Sequence, residues 1–318
     1  MGVDISIVIV SWNAKRFLVK CLESIERDSS DIDVEITVVD NASTDGSPEE
    51  VEKRFPEVRL IRNAKNLGFA KANNMGIRAS TGRYVALINS DVEVLSDCLS
   101  RMMAFMDTHA STDMLGPRIL WSDRTLQSSC RKFPTLWNNF CPAVGLSALF
   151  PRAPFFSGEH MLYFTHDITR KVDVLVGCFM MVRREALEAA GLLDESFFIY
   201  AEDIDWCRSF RNARREVSFH PGSEAIHHGR SSSSNAPLRF AIEQEKAVLR
   251  YWKKHHCFPK EVAFRSIRLL HHALRIGATS AMYLVRPSGR ESTQERLVTH
   301  IRSLRIVLTP LSRLRRSA

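Results

Sequence analysis

Between residues 5 and 88 the chain alternates short β-branched apolar runs with segments of helical periodicity, and few folds accommodate that alternation. Ile5-Ser6-Ile7-Val8-Ile9-Val10 is nearly all apolar, as a strand buried on both faces requires. Over 15–25, Phe17, Leu18, Cys21, Leu22 and Ile25 recur at helical spacing. Strands are predicted at 35–39, 58–61 and 84–88, with helices over 48–54 and about 69–79. Such repetition predicts an α/β fold: a mostly parallel sheet with helices on both faces and ligands beyond the carboxyl ends of the strands. Polar clusters stand at those ends: Ser11-Trp12-Asn13, Asp40-Asn41, the asparagine-rich 63–66, and Asn89-Ser90-Asp91. Each alone reads as turn chemistry. Four in register point to one shared site.

The middle of the chain, about 118–175, is broken by Pro134, Pro142, Pro151 and Pro154 and is rich in aromatic residues. It reads either as loops over a pocket or as packing between lobes. A strand over 172–182, a helix over 183–190 and another over 239–254 follow. These boundaries divide the chain into a body at 1–258 and a tail at 259–318.

At 318 residues, 45% hydrophobic and 25% charged, the chain has ordinary globular composition and length enough for a large core. The formal net charge of +8 is unevenly placed. Residues 260–318 hold twelve Lys and Arg against three Glu, so the body is near neutral. That excludes a nucleic-acid protein whose folded body is lined with cations, and it directs the tail toward something anionic. In the tail, Phe264, Ile267, Leu270, Leu274, Ala278, Ala281 and Val285 recur every three or four residues, with Arg265, Arg268, His272 and Arg275 on another face. Arg302, Arg305, Arg313, Arg315 and Arg316 follow among Leu and Ile. A basic amphipathic helix on an anionic leaflet is expected; a helix packed on the body, or a dimer contact, is the competing reading. Seven cysteines without CxxC spacing indicate neither a disulfide framework nor a zinc site, and reduced thiols are expected. The sequence opens without a basic, then apolar, leader, and no uncharged stretch approaches the roughly 18 residues of a spanning helix. A cytoplasmic protein peripheral to the inner face of the plasma membrane is the resulting expectation.

Three places carry chemistry. Asp91 follows a hydrophobic strand in Asn89-Ser90-Asp91-Val92-Glu93, where an anchored carboxylate serves either a divalent cation or a helix cap. Glu202, Asp203 and Asp205 fall within four residues, so mutual repulsion makes a candidate base site; the first turn of a helix also favours such charge. In Ala225-Ile226-His227-His228-Gly229-Arg230-Ser231, the histidine is a candidate metal or phosphate contact, and Arg230 and Ser231 offer donors to a diphosphate.

Together the stretches Ser6-Ile7-Val8-Ile9-Val10-Ser11-Trp12-Asn13, Val38-Val39-Asp40-Asn41-Ala42-Ser43-Thr44-Asp45-Gly46-Ser47 and Asn66-Leu67-Gly68-Phe69-Ala70-Lys71-Ala72-Asn73-Asn74-Met75-Gly76 resemble inverting family-2 glycosyltransferases of the GT-A fold. The stretch from Gly177 through Gly191-Leu192-Leu193-Asp194 to Glu202-Asp203-Ile204-Asp205 is similar to the rhamnosyltransferase-like branch. The resemblance covers roughly residues 5–232 and leaves the tail outside. It implies a nucleotide-sugar donor, with Asp40 on the base and with Asn66, Gly68 and Asn73 lining the nucleoside and sugar pocket. Ser11, Asn13, Asn41, Asn89 and Arg230 complete the expected substrate contacts. The metal aspartate falls on Asp91, with Asn89 where the family's motif has its first Asp; His227 completes the shell of a Mg2+ or Mn2+ ion. The base lies in the Glu202-Asp203 pair, Asp203 being favoured. Transfer of L-rhamnose from dTDP-rhamnose to a lipid-linked or polysaccharide acceptor of the cell envelope is the implied reaction. Galactosyl or N-acetylglucosaminyl transfer from UDP, and a non-catalytic membrane-surface module, are the rivals. A nucleotidyltransferase would need a glycine-rich basic loop where Ser11-Trp12-Asn13-Ala14 stands.

Overall fold

A computed structural model describes residues 2–29, 31–229, 236–285 and 290–310, without the side chains of 284, 285 and 290–292. Its strands are β1 (Ile5–Ser11), β2 (Val34–Asp40), β3 (Arg59–Arg62), β4 (Tyr84–Asn89), β5 (Val92–Val94), β6 (Thr112–Leu120), β7 (Leu126–Gln127), β8 (Cys130–Arg131), β9 (Arg170–Lys171), β10 (Val174–Leu175), β11 (Phe179–Arg183) and β12 (Glu216–His227). The helices are α1 (Lys15–Asp28), α2 (Ser47–Arg54), α3 (Phe69–Arg78), α4 (Cys98–Thr108), α5 (Leu136–Ala143), α6 (Leu146–Leu149), α7 (Arg184–Ala190), α8 (Glu202–Asn212), α9 (Pro237–His255), α10 (Phe258–Val285) and α11 (Arg290–Leu308).

The main sheet runs in the order β3-β2-β1-β4-β11-β6-β12-β5, with β7 and β9 attached to β6 and β12. Its first four strands are parallel, as the alternation demanded, and β6 and β12 point the same way; β11 and β5 run against them. Side-chain alternation along β1 separates two hydrophobic layers. Ile5, Ile7 and Ile9 pack with Leu18 and Leu22 of α1 and Met102 of α4, whereas Val8 joins Ile77 of α3 and Trp206 and Phe210 of α8 on the opposite face.

Two expectations need correction. The run over 172–182 is two strands: β10 pairs with β8 in a separate ribbon, while β11 enters the main sheet between β4 and β6. The break falls at Gly177, whose amide donates to Asp203 Oδ2 at 3.1 Å. An uninterrupted apolar run does not reveal such a break, because both halves are buried.

The second correction concerns the tail. Helix α10 packs against α5, α9 and α11, and Phe264 stacks on Trp252 of α9 with ring centroids 4.4 Å apart. Arg268, expected to face an anionic surface, is turned inward onto Glu245 of α9, with Nε donating to Oε1 at 3.0 Å and Nη2 donating to Oε2. Arg265 donates to Glu261 and to the Val307 carbonyl, and His272 is buried. The exposed face of α10 is instead an uncharged i±4 ridge: Phe258, Val262, Ser266, Leu270, Leu274, Ala278 and Met282. Arg275, Arg302 and Arg305 remain exposed. Arg313, Arg315 and Arg316 lie outside the described residues. Among the described residues, no helix is long and apolar enough to cross a membrane.

The aromatic stretch before β9 packs largely on itself. Phe155 and Trp137 lie 4.9 Å apart between centroids, and Phe155 meets Phe156 edge-on at 5.0 Å. All seven cysteines are free.

Candidate active site

A cavity of about 490 Å³ opens beyond the carboxyl ends of β1, β2 and β4. All four polar clusters reach its wall, through Trp12, Asn41, Asn66 and the adjacent Gly68, and Asn89 to Asp91. His227 completes the polar side.

The pairing of β5 with β12 brings Asp91 and His227 together across 136 residues of chain. His227 is the register partner of Val92, and the His228 amide donates to the Asp91 carbonyl at 2.9 Å. The side chains then meet, with His227 Nε2 3.3 Å from Asp91 Oδ1 and both nearly buried. His227 Nδ1 donates to Gln127 Oε1 at 2.9 Å, which leaves Nε2 as the nitrogen that faces the carboxylate. A proton satisfies that confrontation as an ion pair. A divalent cation satisfies it too, because adjacent oxygen or nitrogen ligands at 2.1 Å from an octahedral ion stand about 3 Å apart. The residues present therefore fit such an ion with one carboxylate and one imidazole. Asn89 Oδ1, at the neutral position of the motif, is buried without a partner, as is Arg131 Nε on the same wall. Next to the pair, His228 bridges Glu93 Oε1 at 2.6 Å and Ser122 Oγ at 2.7 Å, which ties β5, β12 and the turn after β6 into one frame.

The donor side is shaped by Gly68. Its φ of +86° is a left-handed conformation, and a Cβ there would lie 2.4 Å from the Phe198 carbonyl oxygen. Only glycine allows the Asn66-Leu67-Gly68-Phe69 turn to dock on Phe198, where the Phe69 amide donates to that carbonyl at 2.6 Å. Asn41 holds the turn from the other side: Nδ2 donates to the Gly68 carbonyl at 3.2 Å, and Oδ1 accepts from Asn63 at 3.0 Å. Asn66 Oδ1 accepts from the Gly68 amide at 2.9 Å. Trp12, Tyr200 and Phe240 add an aromatic wall, with Phe240 6.3 Å from Trp12 and 6.2 Å from Tyr200 between centroids.

Other expected contacts stand back from this wall. Asn13 Oδ1 accepts from the Thr44 amide at 2.7 Å and joins two loops. Asn73 is buried and donates to the Phe69 carbonyl at 3.0 Å, within its own helix. Ser11 and Asp40 are buried just behind the cavity, and Ser11 Oγ and Asp40 Oδ1 have no partner. Arg230, with Ser231, lies outside the described residues.

The acidic cluster occupies the first turn of α8, where the amide dipoles favour it. Tyr200 and Ala201 precede it with φ of +68° and +60°, a left-handed pair that turns the chain sharply from the Phe198 segment into the helix. The three carboxylates then diverge. Asp205 is buried between Lys254 Nζ at 2.9 Å and His255 Nε2 at 2.7 Å, an ion-paired brace between α8 and α9. Glu202 is buried with Oε2 unpartnered; burial above all, then the charges of Asp203 and Asp205, push its carboxyl well above the usual range. Asp203 is half-buried, accepting from the Gly177 and Ile204 amides at 3.1 and 2.8 Å. It stands outside the cavity wall that carries Asp91. Cys178 lies within electrostatic reach of both: burial first, then Asp91 and, less strongly, Asp203, push its thiol up to about 12.

Sequence reading missed Arg131, Tyr200, Arg239 and Phe240, all on the wall. Trp12 and Tyr200 stood inside motifs already singled out. Arg131 and Arg239 sit in segments whose only signal was loop composition or helical period.

The Glycosyl transferase family 2 profile matches residues 6–191. An N-acetylglucosaminyl-diphospho-decaprenol L-rhamnosyltransferase of Mycobacterium tuberculosis is 27% identical over 262 residues, covering 79% of this chain and 84% of that protein. Among solved structures, the mannosyltransferase PcManGT from Pyrobaculum calidifontis, in complex with GDP-Man and Mn2+, matches at TM-score 0.55 and 15% identity over 96% of this chain and 86% of that one. TarS 1-349 of S. aureus matches at TM-score 0.51 and 16% identity over 96% and 90%. These likenesses carry the GT-A fold, and with the family match they place the chain: it belongs to glycosyl transferase family 2 and is a glycosyltransferase.

Proposed function

We propose that the protein transfers L-rhamnose from dTDP-rhamnose, with inversion, to a hydroxyl of a lipid-linked or polysaccharide acceptor in cell-envelope glycan biosynthesis. The observation that carries this reading is the Asp91–His227 pair at 3.3 Å on a wall shared with the four strand-end clusters. The choice of rhamnose and of a lipid-linked acceptor is supported by the mycobacterial relative. Asp91 and His227 would hold a Mg2+ or Mn2+ ion, which supplies charge against the negative charge building on the leaving diphosphate. Arg131 and Arg239, on the same wall, add cations to that end. Trp12, Tyr200 and Phe240 offer ring faces to base or sugar. Ser11 Oγ and Asp40 Oδ1, buried behind the wall without partners, would take the base end.

Asp203 takes the proton from the acceptor hydroxyl as that oxygen attacks the anomeric carbon from the side opposite the diphosphate. It is the carboxylate left for the task, since Asp205 is ion-paired and Glu202 is buried. A single displacement inverts the anomeric configuration.

The body at 1–258 performs the chemistry, and the tail at 259–318 meets the anionic inner face of the membrane that carries the acceptor. The uncharged ridge of α10, flanked by exposed Lys260 and Arg275, supports that contact. Thermal shift across a panel of nucleotide sugars with Mn2+ tests the donor: dTDP-rhamnose is expected to raise the melting temperature most. Selective stabilisation by a UDP-hexose overturns the rhamnose assignment and leaves glycosyl transfer standing.

A further inference from the structure

We propose that His271, His272 and His300 form a binding site for one divalent transition-metal ion of the zinc class, clamping α10 to α11 away from the active site. Helix α10 supplies two consecutive histidines and α11 the third. One ligand nitrogen from each lies within 4.8 Å of the others. The closest pair, His272 Nδ1 and His300 Nδ1, is 3.2 Å apart. Tetrahedral zinc with Zn–N bonds of about 2.0–2.1 Å sets its ligand nitrogens about 3.3 Å apart, so two of the three already have the spacing of a ligand edge. The rings are splayed rather than stacked: interplanar angles are 85° for His271 and His272, 52° for His272 and His300, and 66° for His271 and His300. Splayed rings let three lone pairs converge on one point.

A supporting group stands behind the central ligand. His272 Nε2 lies 3.2 Å from Glu245 Oε2. With Nε2–H donated to that carboxylate, the Nδ1 lone pair is left facing His300. A metal-bound histidine backed by a carboxylate is the arrangement that fixes tautomer and ring angle at zinc sites. Arg268 is near, 3.4 Å from His272 Nε2, but its guanidinium is engaged by the two oxygens of Glu245, which counter its charge. An all-imidazole set favours zinc, copper or nickel over the hard magnesium suited to a carboxylate and phosphate site.

The test uses the full chain, stripped with chelator and titrated with ZnCl2 against a chromophoric competitor, then with Co2+ for its visible spectrum. Wild type and Asp91→Ala are each expected to bind one zinc equivalent that excess Mg2+ does not displace, with the intense bands of tetrahedral cobalt. His300→Gln and His271→Gln are expected to weaken that binding at least tenfold while the metal-free melting temperature stays near wild type. Zinc binding that disappears in Asp91→Ala, that survives unchanged in His300→Gln, or that is absent from wild type overturns the proposal.

Discussion

Asp91 stands in the two-residue turn after β4 with an imidazole nitrogen 3.3 Å away, and removing its carboxylate leaves His227 alone toward a diphosphate-bound cation. Asp91→Ala is expected to abolish the manganese-dependent part of donor binding, read by calorimetry with and without the metal. Asp203→Asn keeps the shape but removes the proton acceptor, and it gives up one of the two bonds that the carboxylate accepts from the Gly177 and Ile204 amides. Its kcat is expected to fall by about 10²–10⁴ while donor affinity is retained; near-normal turnover would pass the role to Glu202. At this scale the sequence showed residue types in the right order, including Asp91, His227 and Gly68. It did not show their partners. Asp203 and Asp205 are chemically identical in sequence, and only the arrival of Lys254 and His255 from α9 makes one of them structural. Asn13 and Asn73 likewise read as substrate contacts, yet Asn13 Oδ1 accepts from the Thr44 amide of a neighbouring loop and Asn73 Nδ2 donates to a carbonyl of its own helix.

Elements were legible where period and length agreed. Strand β1 and helices α1, α3 and α9 fall close to their predicted spans because their apolar residues recur at a single period over a full element. The run 172–182 failed that test, since two buried strands in tandem look like one. Helix α10 was legible as amphipathic, but its orientation was not. The charged face is packed inward because Glu245, itself almost fully buried, requires a cation and hydrogen-bond donors, which Arg268 and His272 supply. Those partners hold the Glu245 carboxyl down at about 2 despite burial, from an ordinary 4.5. A depressed acid contributes its stabilisation fully above its unfolded value and loses it as pH falls toward the folded one. Between about pH 4.5 and 2 the α9–α10 junction should therefore lose roughly 3 kcal/mol. Glu245→Gln is expected to flatten the pH dependence of urea unfolding between pH 5 and 3; an unchanged slope would remove the pair from the acid response.

For the whole molecule, the inward turn of Arg265 and Arg268 changes which surface is offered to a membrane. The exposed ridge on α10 is uncharged, with Lys260, Arg275, Arg296, Arg302 and Arg305 as the exposed cations of α10 and α11 among the described residues. Flotation with anionic vesicles should therefore respond to Leu274→Asp combined with Met282→Asp, which leave the Phe264–Trp252 stack intact. Vesicle-bound protein is expected to fall several-fold, with donor binding unchanged. Equal flotation would shift the contact away from α10. The sequence by itself determined the α/β class, the order of the strand-end clusters and the family, because these depend on local period and on residue types at short spacing. The resemblance already set His227 beside Asp91, whereas the tertiary structure alone decided that Gly68 docks on Phe198, and which acid and which helix face remain available. Those are contacts between segments far apart in the chain. They are set by strand register and buried charge, neither of which leaves a local trace.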